Sequence, residues 1–186
     1  MRLELKDIKD GGLIKELTCT SSDFPVLVEM EQQDEVRFTQ PIEFHLRLQK
    51  SGQLVEVEGS LQTSMELVCG RCLQRYAREL SADFAFTYTP LVTDKQDVPE
   101  EDSEIELGAD ELGLVFYRDE CLDLFQPLQD QLVMALPIRP ICMGDCKGLC
   151  SKCGCNLNTH TCDCVRKPFN NKFTALAELD INVSED

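Results

Sequence analysis

No apolar run approaches the roughly 18 residues that would span a bilayer, so the sequence predicts no transmembrane helix. The first residues, Met1-Arg2-Leu3-Glu4-Leu5-Lys6-Asp7, mix charge with apolar side chains at once and offer no h-region for a secretory signal. A cytoplasmic location is the resulting expectation. Histidine is scarce: there are two in 186 residues, neither beside an obvious nucleophile, so no catalytic triad is in view. Gly11-Gly12 reads as a turn, because no Gly-x-x-x-x-Gly-Lys phosphate loop exists. No paired carboxylates stand out from the general acidity. Nothing in the sequence argues for an enzyme or a small-molecule substrate.

Positive charge is also short. Eighteen Lys and Arg against 34 Asp and Glu leave a net charge of −16, which opposes non-specific attraction to a phosphate backbone. The deficit is uneven. Residues 93–135 hold thirteen Asp or Glu against Lys95 and Arg118, whereas residues 147–172 hold Lys147, Lys152, Arg166, Lys167 and Lys172 against Asp163 alone. The chain has an acidic middle and a basic end.

What it has in excess is cysteine, eleven in all. In a reducing cytosol, dense cysteine pairs read as metal or redox sites, and an odd total fits a disulfide framework poorly. The clusters are Cys69-Gly-Arg-Cys72 and a long run with Cys142, Cys146, Cys150, Cys153, Cys155, Cys162 and Cys164. A Cys-x-x-Cys turn brings two thiolates to one ion, and tetrahedral zinc takes two such pairs from separate segments.

Hydrophobic periodicity supplies the frame. Ile42, Phe44, Leu46 and Leu48 alternate with polar residues; Val55, Val57, Leu61, Met65, Leu67 and Cys69 follow on odd positions; Tyr76, Leu80, Phe84, Phe86 and Tyr88 take even ones. This is the period of half-buried antiparallel strands, with the first cysteine pair at a hairpin tip. Weaker strands are expected near Leu3–Ile8 and Val26–Met30, and short ones at Ile105–Leu107 and Leu114–Tyr117. Residues 93–104 read as an acidic surface loop. Leu124, Leu128, Leu132 and Leu136 then recur at helical spacing, with Phe125 and Val133 beside them. That predicts one main amphipathic helix near 123–136, capped by Asp123 so that Pro127 falls in its first turn. A short helix is expected over residues 168–179. The fold class is α+β: an antiparallel β-meander packed by one main helix. Residues 1–141 form the core, and 142–186 form a cysteine-rich zinc-knuckle appendage with the terminal helix.

The run from Cys142 to Cys164 has few apolar residues besides its cysteines and cannot order itself by burial, so it needs a metal or stays loose. Pairing by geometry, Cys69 and Cys72 come from the sheet, and Cys142 and Cys146 lie just past the helix packed on it; together they make one four-thiolate site. Cys150, Cys153, Cys162 and Cys164 make a second, local site. Cys155 and His160 are spare candidates there, and either could replace Cys162. All-sulfur ligation suits zinc, two ions per chain, with iron or an iron–sulfur cluster as the alternative. Four thiolates leave no open position, so both sites read as structural. The competing use is thiol redox chemistry or metal response at Cys69-x-x-Cys72, helped by Arg71 and Arg75. Cys19 and Cys121 stand apart and read as ordinary packed cysteines, and His45 as a solvent-facing strand residue. Arg71, Arg75, Arg78, Lys147, Lys152, Arg166 and Lys167, with Lys172, Phe169 and Phe173, are the candidates for single-stranded RNA binding. On sequence physics alone the plainer reading is favoured, that these charges offset the thiolates and the acidic middle.

Four features occur in order: Cys-x-Arg-Cys after a strand, Leu-Pro-x-x-Pro after a helix (Leu136–Pro140), Cys-Lys-Gly-Leu-Cys-x-x-Cys-Gly-x-Asn-Leu-Asn, and a Pro-Phe…Ala-Leu-x-x-Leu ending. In these the chain resembles the bacterial YceD family, the large ribosomal RNA subunit accumulation proteins. The resemblance implies a cytoplasmic protein needed for synthesis, processing or accumulation of large-subunit ribosomal RNA, and implies no known reaction. It carries the first cysteine set over most directly, while Cys155 departs from the family's run. The resulting expectation is a non-enzymatic zinc protein of ribosome biogenesis. Its partners would be ribosomal RNA or a basic ribosomal protein, the latter matched by the acidic middle. A zinc-ribbon nuclease accessory is a further, weaker reading.

Overall fold

The alternating segments build a sheet of strands β2 (Leu13–Cys19), β3 (Val36–Phe38), β4 (Ile42–Ser51), β5 (Leu54–Val68), β6 (Arg75–Pro90) and β7 (Leu114–Tyr117). This is a computed structural model that describes residues 1–9, 11–91 and 113–164. The expected acidic loop at 93–104, the strand at Ile105–Leu107 and the helix at 168–179 lie outside the described residues. The order is β2-β4-β5-β6-β7, antiparallel except for β7, which joins β6 in parallel. β5 is longer than its partner β4, and β3 pairs the remainder of it, Val36 opposite Leu67 and Phe38 opposite Met65. A separate two-stranded ribbon pairs β1 (Arg2–Glu4) with β8 (Cys121–Asp123).

One face of the large sheet is dry. Ile42, Phe44, Leu46 and Leu48, then Val55, Val57, Leu61, Met65 and Leu67, then Leu80, Phe86 and Tyr88 all point to it. Helix α1 (Pro25–Gln32) brings Phe24 and Leu27, and helix α2 (Phe125–Ala135) brings Leu128 and Leu132. Phe24 is the joint between them, with its ring 4.8 Å from that of Phe125 and 6.2 Å from that of Phe44. Gln129, buried on α2, accepts the Val26 amide at 3.3 Å and so orients one helix on the other. Gly59 occupies an inward position where register puts Leu46 on one side and Phe84 on the other. Its missing side chain is the space those two fill.

Two expectations need correction. The segment Val26–Met30 is helix, not strand. Pro25 sits at the first helical position, where its fixed φ helps and no amide is lost. Phe24, Leu27 and Met30 recur at helical spacing toward the core. The expected strand at Leu3–Ile8 is shorter: β1 ends at Glu4, and a single 3-10 turn at Leu5–Asp7 lets Leu3, Leu5 and Ile8 all reach the interior. The main helix begins two residues after Asp123, whose carboxylate still accepts the first helical amide, Phe125 N–H, at 3.0 Å. Pro127 lies in the first turn, as its missing amide requires. Among the described residues no helix is long and apolar enough to cross a membrane.

A Cβ added at Gly59 would lie 2.7 Å from Phe84 Cζ, 2.8 Å from the His45 carbonyl oxygen and 2.9 Å from Leu46 Cδ2. Gly59→Ala is therefore expected to lower stability by about 1–3 kcal/mol. The measurement is a drop in the urea midpoint at unchanged m value; an unmoved midpoint would mean that Phe84 yields without cost.

Candidate metal centres

The long β5–β6 hairpin ends in Cys69-Gly-Arg-Cys72-Leu-Gln74. Cys69 N–H bonds the Gln74 carbonyl at 2.9 Å, and Leu73 N–H returns to the Cys69 carbonyl at 2.9 Å. Leu73 takes the left-handed conformation, φ 59°. Residues 150–155 repeat this geometry: Cys150 N–H to the Cys155 carbonyl at 2.8 Å, Gly154 N–H to the Cys150 carbonyl at 2.9 Å, and Gly154 at φ 71°. Two unrelated segments have thus folded into one knuckle shape. In each, the two thiols are aimed to the same side and amides are turned toward sulfur.

After α2, Pro137 and Pro140 carry the chain back to the hairpin tip, where Gly70 N–H bonds the Pro140 carbonyl at 2.8 Å. This places Cys142 and Cys146 against the first knuckle. Sulfur separations are 3.9 Å for Cys69–Cys146 and 3.7 Å for Cys72–Cys142. All four sulfurs lie within 4.8 Å of one another, and so do those of Cys150, Cys153, Cys162 and Cys164. A tetrahedron with zinc–sulfur bonds of about 2.3 Å has edges of about 3.8 Å. The first tetrad fits that figure, and a disulfide, at about 2.05 Å, does not. Both tetrads could hold a metal ion and are compatible with zinc. The eight residues expected from spacing are those the structure gathers, in the same two groups.

Burial distinguishes the two. In the first tetrad Cys69, Cys72 and Cys146 are buried; in the second only Cys150 is, and Cys153 is exposed. Burial pushes the Cys69 thiol up, but the amides of Cys72, Cys142 and Arg71 outweigh it and bring the thiol down to about 6. Burial and the neighbouring sulfurs of Cys69, Cys146 and Cys72 push Cys142 up to about 12. In the second tetrad, the amides of Cys153 and Lys152 bring Cys150 down to about 6, while contact with Cys153 and burial send Cys164 up to about 12. Amides, burial and sulfur–sulfur contacts together produce the split, and four adjacent thiols cannot all ionise without a cation among them.

The rest of the cysteine run is tied to the first knuckle. Arg71 donates through Nη1 to the Cys146 carbonyl at 2.9 Å, and its own carbonyl accepts Leu149 N–H at 3.1 Å. Gly148, at φ 73°, lies where a Cβ would meet that Arg71 carbonyl oxygen at 3.0 Å. Asn158 closes the arrangement. Its side chain accepts Lys147 N–H at 2.8 Å and donates to the Cys146 sulfur at 3.3 Å. Leu157 N–H bonds the Gly148 carbonyl at 2.9 Å. The Lys-Gly-Leu and Asn-Leu-Asn segments thus join one tetrad to the other. Sequence reasoning missed these roles of Gly148 and Asn158, although both lie in the run that carries the family resemblance.

Of the spare candidates, His160 is exposed and pairs through Nδ1 with the Thr159 hydroxyl at 2.8 Å, away from the tetrad. Cys155 is outside the tetrad; the Cys153 thiol, burial and the Cys162 thiol push its own thiol up to about 12. Cys19 and Cys121 are half-buried, Cys19 packing on the main core. His45 faces solvent beside Glu16. Arg75 forms an ion pair with Asp34. Arg78, Lys147 and Lys152 are exposed, and Arg166, Lys167, Phe169, Lys172 and Phe173 lie outside the described residues.

Fold and site together define an α+β protein whose sheet meets a cysteine-rich segment at one tetrathiol group, with a second group inside that segment. A family described as "Large ribosomal RNA subunit accumulation protein YceD" matches residues 57–180, from β5 through both tetrads, and the chain belongs to that family. It is 24% identical over 157 residues to the chloroplastic YCED homolog 1 of Arabidopsis thaliana, covering 75% of this chain and 48% of the relative. It is 33% identical over 91 residues to the Large ribosomal RNA subunit accumulation protein YceD of Haemophilus influenzae, covering 48% of this chain and 46% of that one. An uncharacterized Mycobacterium tuberculosis protein is 33% identical over 115 residues, covering 61% of this chain and 50% of its own length. The chain spans about half the length of the curated relatives it matches. No solved structure matches it.

Protein purified without added metal is expected to carry one to two zinc ions per chain by elemental analysis; metal-free protein with freely titrating thiols would remove the metal reading. Thiols such as Cys142, held near 12, must lose protons to bind metal. Affinity should therefore fall about ten-fold per pH unit for each proton displaced, and more steeply below about 6, where Cys69 also protonates. Competition with a chromophoric chelator between pH 8 and 5 measures this. Cys69→Ser should lower the melting temperature of the whole chain, while Cys162→Ser should act mainly on residues 150–164; equal effects would contradict the pairing.

Proposed function

We propose that the chain is a non-enzymatic, zinc-stabilised protein of ribosome assembly that promotes synthesis, processing or accumulation of large-subunit ribosomal RNA in the cytoplasm. The observation that carries this reading is that the family match runs through both tetrads and the hydrogen-bonded residues between them. Two YceD relatives are named for large ribosomal RNA subunit accumulation. Eight thiolates closed around two ions would leave no position for substrate, so the metals would act by holding a surface in shape.

Two surfaces differ in sign. The solvent face of the sheet carries Glu43, Glu56, Glu58, Glu79 and Asp83, brought together by the β4–β5–β6 register. It suits a basic ribosomal protein. The clasp end carries Arg78, Lys147 and Lys152, which suit RNA phosphates. Arg71 and Arg75 are engaged within the chain and would shape that surface more than contact RNA. The thiols favour a reducing compartment.

Crosslinking in cells, followed by identification of bound RNA and protein, tests the reading; large-subunit ribosomal RNA or its proteins should be recovered, and absence of all ribosomal material would overturn it. With the recovered RNA in hand, replacing Arg78, Lys147 and Lys152 by Ala should reduce the salt dependence of binding by about two units of log–log slope. An unchanged slope would place the RNA surface elsewhere.

A further inference from the structure

Cys155 is a fifth thiol beside the second tetrad, outside the four sulfurs that a tetrahedral ion would use. It closes the same knuckle turn as Cys153, its carbonyl accepting the Cys150 amide at 2.8 Å, and its thiol interacts with those of Cys153 and Cys162. The first tetrad is mostly buried, with Cys69, Cys72 and Cys146 in the interior, and has no further cysteine in its knuckle. In the second, Cys153 is exposed and Cys155 and Cys162 are half-buried, so a small oxidant reaches the sulfurs without unfolding the chain. Cys153 and Cys155 are separated only by Gly154, whose left-handed φ of 71° turns the chain tightly between them.

The geometry points to Cys155 as a resolving thiol that makes the second centre, and not the first, releasable by a peroxide. This rests on the reading that both tetrads hold zinc. The Cys153 sulfur attacks one oxygen of hydrogen peroxide: an S–O bond forms, the O–O bond breaks, and the departing hydroxide takes a proton from solvent and leaves as water. The Cys155 sulfur then attacks the sulfenic sulfur: an S–S bond forms, the S–O bond breaks, and the hydroxide takes the Cys155 proton to give a second water. Two thiols lose two electrons and the peroxide gains them. Cys162, whose thiol also interacts with that of Cys155, is the alternative first sulfur. Either way one of four ligands is lost, and three partly exposed sulfurs remain. The neighbouring thiol traps the sulfenic acid before further oxidation, which keeps the change reversible by a dithiol.

The test uses the full chain loaded with zinc and freed of excess metal. Hydrogen peroxide is added, zinc release is followed with a chromogenic chelator, and disulfides are mapped by peptide mass spectrometry. One ion should leave, with a disulfide joining Cys155 to Cys153 or Cys162. Cys155→Ser should hold both ions before oxidation and release one roughly ten-fold more slowly, having lost its resolving thiol at high effective concentration. Equal release rates, or a disulfide map without Cys155, would overturn the inference. A Cys155→Ser chain holding a single ion would make Cys155 a ligand and overturn it too. A wild-type chain with a single ion removes the two-ion reading and this inference with it, and is told apart because it shows before peroxide is added.

Discussion

The tip of the β5–β6 hairpin meets the segment that follows α2, and that contact ties the sheet to the cysteine-rich run. The hairpin is long, and its last residues run past the covered part of the sheet. At that end the apolar packing thins to Tyr76, which touches both the main core and the cluster of Cys69, Cys72 and Cys146. Four thiols then replace hydrocarbon as the material of the core. Held together without a cation, they oppose one another, as the spread from about 6 at Cys69 to about 12 at Cys142 records. With a divalent cation among them, the same crowding becomes the strongest tie between the sheet and the second half of the chain.

The two knuckles show how little sequence the geometry needs. Both use the same pair of backbone hydrogen bonds and a left-handed residue after the second cysteine. At residue 154 that residue is glycine, which takes the conformation without strain. At residue 73 it is leucine, which costs about 1 kcal/mol there and leaves its side chain 64% exposed. The hairpin can hold such a residue because fourteen consecutive register pairs from Val55–Tyr88 to Val68–Arg75 fix the strands on either side of the turn. The second knuckle has no sheet beneath it and relies on glycine.

Much of this was legible from residue spacing. The strict alternation of β4 and β5 and the helical leucines of α2 carried through because one face of each is fully buried. Helix α1 misread as a strand because eight residues give only two turns, and Val26, Val28 and Met30 imitate alternation. β2 was missed because its inward positions include Lys15 and Cys19, which dilute the apolar signal. The parallel partner β7 showed as a strand but not as a neighbour of β6, since pairing between distant segments leaves no local trace. The cysteine groups were readable because ligand spacing is a local property. The bridging roles of Arg71, Gly148 and Asn158 were not, since they follow from which backbone atoms meet after folding.

Those bridging residues decide how independent the two centres can be. Asn158 belongs to the second loop, yet it donates to a sulfur of the first tetrad while accepting the Lys147 amide. Ordering residues 150–164 around a second ion would therefore position a donor that favours the ionised form of Cys146, and so would strengthen the first site. The reverse influence runs through the backbone: Arg71 and Gly148, fixed by the first tetrad, offer the carbonyls that receive Leu149 and Leu157. The first tetrad thus sits on the hairpin tip, and the loop of the second is joined to it through the carbonyls of Arg71 and Gly148. Were both tetrads to hold an ion, loss of the outer one would leave the inner one its four sulfurs and its burial, and would remove the support that Asn158 lends. A surface resting on the outer loop could therefore be loosened while the sheet and inner centre stay intact.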